Sequence, residues 1–364
     1  MANIAIITSD YPDFISGIGD YAYKLRNYLS DHNRKTYVIS SNFELINKNT
    51  TSLVVNWKIS EIPKILNFIK QKCISCIIIQ YPGLLYGKFN IVIHLLCIII
   101  RMKRICVITT LHEFNNVHFL RRLSELIFVL ASHLIVFTTD SEASNPIINI
   151  LFKQKVRIIP IFPNINFPSN SAKQDSSIIL HFGMIYPDRE IMKVINKMGL
   201  IDRWRPERYV FKFIGGRHFR EKDYYEKMFK ASKDILERVY WSTDLPLEEI
   251  AQQIESVFIA IVFYNDGLSL RRGSALTLMK AGIPIITNKG GGAEDFKEVE
   301  NTGVFYYTSD DELKNLIEKL KTDDKYYYDC SISLQKFSEK FNIERVVESY
   351  DSIMNEFIER SNST

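Results

Sequence analysis

Cysteine is scarce and poorly arranged for chemistry: the 364-residue chain has five, odd in number and scattered. Cys73 and Cys76 form one C-x-x-C, but neither a second pair nor spaced histidines complete a zinc site, so the reading is packed, reduced thiols. Asp140-Ser141-Glu142 invites comparison with metal-binding D-x-D sites, yet it precedes a helical run and reads better as a cap. No catalytic metal is expected. Charge of one sign is lacking too: 46 Lys and Arg face 42 Asp and Glu, the net is +4, and the basic residues are spread out, which argues against a nucleic-acid partner. No basic segment precedes the short apolar run of the opening MANIAIITSDYPD, so no secretory signal and a cytoplasmic location are expected. Long apolar runs are also missing. The longest, Ile91 to Ile100, falls well short of the about 20 residues that span a bilayer. It reads either as a buried helix or as one leaning on a membrane surface, with Arg101, Lys103 and Arg104 after it and Arg121 and Arg122 nearby to meet anionic lipid.

What is present is apolar punctuation of a regular kind. With 364 residues, 46% of them hydrophobic, the chain should form two domains, since single cores rarely grow past roughly 250 to 300 residues. Strands are expected at Asn3 to Thr8, Thr36 to Ser40, Cys76 to Gln80, Ile105 to Leu111 and Leu134 to Phe137. Helices are expected between them at Asp20 to Leu29, Ser60 to Lys72 and Phe119 to Ala131. Pro160, Pro163 and Pro168, followed by Ser169, Asn170 and Ser171, make the clearest break and the expected linker. Beyond it the alternation resumes at Ile178 to Phe182, Arg189 to Met198, Tyr209 to Ile214, Glu221 to Ser232, a strand near Val239 and a helix Leu247 to Glu255. Helices at Asp311 to Leu320 and Asn342 to Glu359 close the chain. Alternating strands and helices imply α/β domains with doubly wound parallel sheets.

The most informative stretch is Val257 to Thr287. Val257 to Phe263 is an unbroken apolar run of strand length, Ser274 can cap a helix through Lys280, Gly282 can end that helix in the left-handed conformation, and Ile283 to Thr287 start the next strand. The intervening loop with Arg271, Arg272 and Gly273 must lie at the carboxyl end of a strand. There helix N–H groups, a glycine and two guanidinium groups suit a diphosphate; a solvated basic turn is the plain alternative. Gly17 and Gly19 occupy the loop after the first strand, either for close approach to an anion or for a tight turn, without the third glycine of a dinucleotide fingerprint. His112 and Glu113 follow another strand, where a histidine can serve a substrate hydroxyl or be structural; Gln80 and Tyr81 end the neighbouring strand. Gly183 to Arg189 and the pair Gly215 and Gly216 stand at two further strand ends, Arg189 placed either to reach a phosphate or to sit in a helix first turn.

Taken together, SGIGDY, IIQYP, TLHEF, HFGMIYPDRE, DGLSLRRGS and AGIPIIT resemble the retaining GT-B glycosyltransferases of family 4 (group 1) that act in bacterial surface polysaccharide assembly. The resemblance spans nearly the whole chain. It implies two Rossmann-like domains facing a cleft: residues 1–165 for the acceptor, 166–340 for the nucleotide-sugar, and a helix in 341–364 crossing back to the first domain. It implies a UDP- or GDP-sugar donor, a lipid-linked glycan acceptor and no further cofactor; a nucleotide-sugar epimerase of the same fold, or a non-catalytic subunit of a polysaccharide assembly complex, is the alternative. Carried over by position, His112, Asp266 and Arg272 are the expected catalytic group. Gly17, Gly19, Gly183, Arg189, Gly215, Gly216, Ser269, Arg271, Gly273, Ser274 and Thr277 are the expected nucleotide-sugar contacts. Asp20, Tyr21, Gln80, Tyr81 and Glu113 fall on the acceptor side. The chain departs from the family at Ser269 and Thr277, where two glutamates eight apart are usual, and Asp266 is the nearest substitute for the first.

Overall fold

The computed structural model describes residues 3–11, 16–41, 52–82, 86, 91–115, 117–165, 167, 177–205, 209–217 and 221–362. The chain forms two compact units, Met1–Phe162 together with Ile343–Thr364, and Pro163–Asn342. Residues 168–171 of the expected linker lie outside the described residues.

The first unit runs β1 (Asn3–Ile7), α1 (Gly17–Asp31), β2 (Thr36–Ser40), β3 (Ser52–Val54), α2 (Ile62–Gln71), β4 (Ile74–Tyr81), α3 (Ile91–Met102), β5 (Cys106–Leu111), α4 (Phe119–Ala131), β6 (Leu134–Phe137), α5 (Asp140–Ala143), α6 (Pro146–Phe152) and β7 (Val156–Ile158). Its seven strands are parallel in the order β3-β2-β1-β4-β5-β6-β7. Ile4, Ile6, Ile77, Ile79 and Ile108 are fully buried, as expected of strands covered on both faces. The second unit runs β8 (Ile178–Phe182), α7 (Ile191–Trp204), β9 (Val210–Gly215), α8 (Lys222–Ile235), β10 (Val239–Thr243), α9 (Leu247–Glu255), β11 (Ile259–Ile261), α10 (Gly273–Lys280), β12 (Ile285–Thr287), β13 (Val304–Tyr306), α11 (Asp310–Thr322) and α12 (Asp324–Ser338). Its six parallel strands order as β10-β9-β8-β11-β12-β13. The closing helix α13 (Ile343–Asn362) belongs to the first unit and packs on α1. Arg34 Nε reaches Asp351 Oδ1 at 3.0 Å, and the Tyr21 hydroxyl lies 3.4 Å from that of Tyr350.

Several local expectations shift. Only Ile259–Ile261 of the Val257 to Phe263 run pairs as strand, although every residue of the run is buried, each large side chain contributing roughly 1.5–3 kcal/mol. Arg189 is not in the first turn of a helix: Pro187–Arg189 is a 3-10 turn, Glu190 takes a left-handed φ of 44°, and α7 begins at Ile191. α10 starts one residue before Ser274, with Arg272 at the N-cap position and no side-chain cap bond. The cap near Asp140 is Thr139, whose hydroxyl accepts from the Glu142 N–H, while the Glu142 carboxylate accepts from the N–H groups of Phe114 and Asn115. Cys73 is exposed and Cys106 half-buried, and all five cysteines are free. The strands β3, β7 and β13 and the helix α12 were not foreseen from sequence.

The run Ile91 to Ile100 is a helix with both characters. Val92, Ile93, Leu96, Cys97 and Ile100 are buried, whereas Ile91 and Met102 are exposed, as are Phe119, Leu120, Leu123 and Leu130 on α4, against which α3 packs. Among the described residues, no helix is long and apolar enough to cross a membrane.

Candidate anion-binding site

Both sheets reverse their winding direction between two neighbouring strands, at β1/β4 in the first unit and β8/β11 in the second. In open parallel sheets such reversal points leave a crevice beyond the strand carboxyl ends. The loops after β8 and β11 meet there, and the Asn265 N–H donates to the Asp188 carbonyl at 3.0 Å. Gly183 is held by its N–H to the Ile214 carbonyl, and a Cβ on it would stand 3.4 Å from Ser274 Oγ, so the β8 loop faces the start of α10. Gly215 lies directly against it: any side chain there would collide with the Gly183 carbonyl. Gly216 accepts at its carbonyl from the Ile185 N–H. Gly273, the first residue of α10, is crossed by the Asn164 side chain.

Three arginines converge on this corner. Arg271 Nη2 and Arg272 Nη2 each donate to Asp266, to Oδ2 and Oδ1, at 2.8 Å; Arg272 Nη1 donates to Asp188 Oδ2 at 3.2 Å. Arg189 is less well served. Its Nε is 3.4 Å from Asp188 Oδ1 without forming a hydrogen bond, and its buried Nε and Nη1 have no hydrogen-bond partner. Arg189 and Arg272 both lie 4.8 Å from the ring centroid of Tyr264, whose backbone is clamped by Asn288: the Asn288 amide accepts from the Tyr264 N–H at 2.9 Å and donates to its carbonyl at 2.7 Å. Burial and the neighbouring Arg272 charge pull the Arg189 guanidinium below its ordinary pKa. For Arg272 burial works against the charge too, but Asp266, Tyr264 and Asp188 outweigh it and hold it above the ordinary value. Ser269 is buried with its hydroxyl also unmatched. A corner with unspent cationic donors beside a helix start can take an anion. Thr277 is spent elsewhere: its hydroxyl accepts from the Asn164 N–H at 3.1 Å and donates to the Gly273 carbonyl at 2.8 Å.

In the first unit, Gly17 is exposed at the start of α1 with open space beside it, and Gly19 packs against the backbone of Asp10 and Tyr11. Ser16 caps α1 by accepting from the Gly19 N–H, and its hydroxyl donates to buried Asp10 at 2.8 Å. His112 is buried at the end of β5, its Nε2–H donating to Gln80 Oε1 at 2.9 Å, with the Tyr21 ring edge-on at 5.3 Å. Burial lowers its pKa to about 4, so the ring is neutral at physiological pH. Asp20, half-buried in the first turn of α1, has its pKa raised by burial to about 6. Tyr81 is fully buried below the Arg121 guanidinium, which also stands 3.7 Å from the exposed Glu113 carboxylate. Sequence reasoning passed over Asp188, Tyr264, Asn288 and Asp10. Asp188 and Tyr264 adjoin residues it did select, and an acid one position before an arginine at a strand end was the available signal.

Two doubly wound parallel units with these strand orders fit the GT-B fold, and the comparison with solved structures gives the same fold. HepE of Anabaena, determined with UDP and glucose, matches with a TM-score of 0.74 at 13% identity over 98% of this chain and 100% of that chain. A glycosyltransferase from Rickettsia africae matches at 0.72, 11% identity, 98% and 99%. WaaG, a glycosyltransferase of lipopolysaccharide biosynthesis, matches at 0.64, 12% identity, 96% and 99%. At such identities the likeness establishes the fold alone. No family model and no curated protein sequence matches the chain.

Proposed function

We propose that the protein is a cytoplasmic glycosyltransferase that moves a sugar from a nucleotide diphosphate sugar, a UDP- or GDP-sugar, to a hydroxyl of a lipid-linked glycan, with retention, in bacterial surface polysaccharide synthesis such as O-antigen or capsule. The observation that carries the reading is the set of buried donors without a hydrogen-bond partner, Nε and Nη1 of Arg189 and Nε of Arg272, at the reversal point of the second unit, beside the start of α10. Such donors stabilise the charge that develops on a departing diphosphate, which is the main electrostatic demand of glycosyl transfer from such a donor. UDP or UDP-glucose bound to HepE supports the donor class, and the lipopolysaccharide role of WaaG supports the acceptor class. Retention follows the family resemblance, with the leaving phosphate taking the acceptor proton. The exposed apolar residues of α3 and α4 and their basic neighbours support peripheral contact with the membrane that carries the acceptor.

The test is a thermal-shift screen against UDP, GDP, ADP and CMP, followed by turnover with the donor so identified and a lipid-linked acceptor. Arg272→Ala should abolish the nucleotide-induced shift and transfer; unchanged transfer would overturn the phosphate assignment. The absence of carboxylates at Ser269 and Thr277 favours one second reading, a non-catalytic subunit of a polysaccharide assembly complex. Measured transfer excludes it.

A further inference from the structure

Asp266 holds the arginine pair in an unusual way. Its two oxygens go to two different guanidinium groups, Oδ2 to Arg271 and Oδ1 to Arg272, both at 2.8 Å. A phosphate offers arginine forks the same thing, two anionic oxygens on one centre. Arg189, Arg271 and Arg272 carry three positive charges and Asp188 and Asp266 two negative ones, so the five side chains leave one uncompensated cation. That cation is centred on Arg189, whose unmatched donors lie beside the carboxylate-filled forks. The Asp266 side chain is 32% exposed and sits on a turn whose next residue, Gly267, has a φ of 80°. It can therefore swing to solvent without unpacking the core.

We infer that Asp266 is an intramolecular stand-in for a phosphate of the donor: the diphosphate enters by exchange, taking the Arg271 and Arg272 forks as the carboxylate is released to water. The inference rests on the proposed donor and deepens it. Without an internal anion the empty site would hold three partly buried cations close together, an arrangement that desolvation and mutual repulsion oppose. With one, the site is stable when empty, and a dianionic group displaces a monoanionic one because it is attracted more strongly to the same two guanidinium groups. The cost is affinity, since each binding event must first break two charge-assisted hydrogen bonds.

Calorimetric titration of wild type, Asp266→Asn, Arg271→Ala and the double variant with UDP and with inorganic pyrophosphate tests this. Asp266→Asn is close to isosteric on a partly exposed turn, and its apo melting temperature reports folding. The expected result is that Asp266→Asn binds both ligands about tenfold tighter, as for the loss of one net charge-assisted competitor, and that the gain shrinks in the Arg271→Ala background. Equal or weaker binding by Asp266→Asn would overturn the inference and make Asp266 a prop for the arginines. The two readings separate cleanly. Tighter pyrophosphate binding with no UDP binding to either protein keeps the exchange and removes the nucleotide donor; UDP binding unaffected by Asp266→Asn keeps the donor and removes the exchange.

Discussion

Replacing Arg189 with methionine should make the protein more stable and, at the same time, weaken its binding of nucleotide. The Arg189 side chain is 14% exposed, two of its donors lack hydrogen bonds, and both burial and Arg272 oppose its charge. Each unmade buried donor costs about 1–3 kcal/mol. Against that relief stand the lost stacking on Tyr264, about 1 kcal/mol, and a poorly aligned contact with Asp188 of less than about 1 kcal/mol. Methionine fills much of the same space and keeps an apolar contact with the Tyr264 ring. The balance is a gain of up to a few kcal/mol in the second unit, and each kcal/mol raises the melting temperature of a domain of that size by roughly 2–4 °C. Binding moves the other way, because a charge-assisted hydrogen bond to phosphate is worth about 1.5–3 kcal/mol, a loss of roughly ten- to a hundredfold in affinity. Differential scanning calorimetry with and without UDP reads both effects in one experiment. A lower melting temperature for the apo variant, or an undiminished shift with UDP, would refute the claim that Arg189 is held underpaired for an anion.

Three other expectations follow from single features. Gly282 has a φ of 71°, and a Cβ there would collide with Ser331 Oγ, so Gly282→Ala should destabilise the second unit by about 2–3 kcal/mol in chemical denaturation; a change under about 0.5 kcal/mol would contradict it. His181 is buried on β8, its pKa lowered by burial to about 4 from 6.5, so the unfolded chain takes up a proton that the native ring refuses. Its share of stability is complete above pH 6.5 and disappears as pH falls from there toward 4; His181→Leu should flatten that limb of the melting-temperature profile, and an unchanged slope would count against the assignment. Reversing Arg101, Lys103 and Arg104 to glutamate should reduce cosedimentation with anionic vesicles, and equal sedimentation would remove the membrane contact.

How much of this was legible in the sequence depends on the range of the interaction concerned. The central strands declare themselves because burial on both faces demands continuous apolar runs, as in Ile77 to Ile79 or Val257 to Phe263. The edge strands β3, β7 and β13 have three residues each, too few for a period to show; in β7 every residue is at least partly exposed, while β13, buried at Val304 and Phe305, is hidden by its shortness alone. The helix α12 hides for another reason. Its tyrosines and serines dilute the apolar period, and the signal that remains is Asp323, which caps it by accepting from the Tyr326 N–H.

At the site, residue types and chain order were enough to select the arginines and glycines, because strand ends and helix starts are local features. Their pairing was not visible, because it depends on which strands are neighbours. Asp188 follows β8 and Asp266 follows β11, nearly eighty positions apart, and they share Arg272 only because β8 and β11 lie side by side at the reversal of the sheet. Counting charges along the loops gives a basic corner. The folded chain instead has two of its three guanidinium groups already answered by carboxylates and one left short. This bears on what the missing acids at Ser269 and Thr277 mean. Thr277 is fully buried and its hydroxyl is used within the fold, so a carboxylate at that position would be enclosed and would give up the bond that Thr277 donates to Gly273. The acids of this corner stand instead at Asp188 and Asp266, on the loops after β8 and β11, where both meet Arg272.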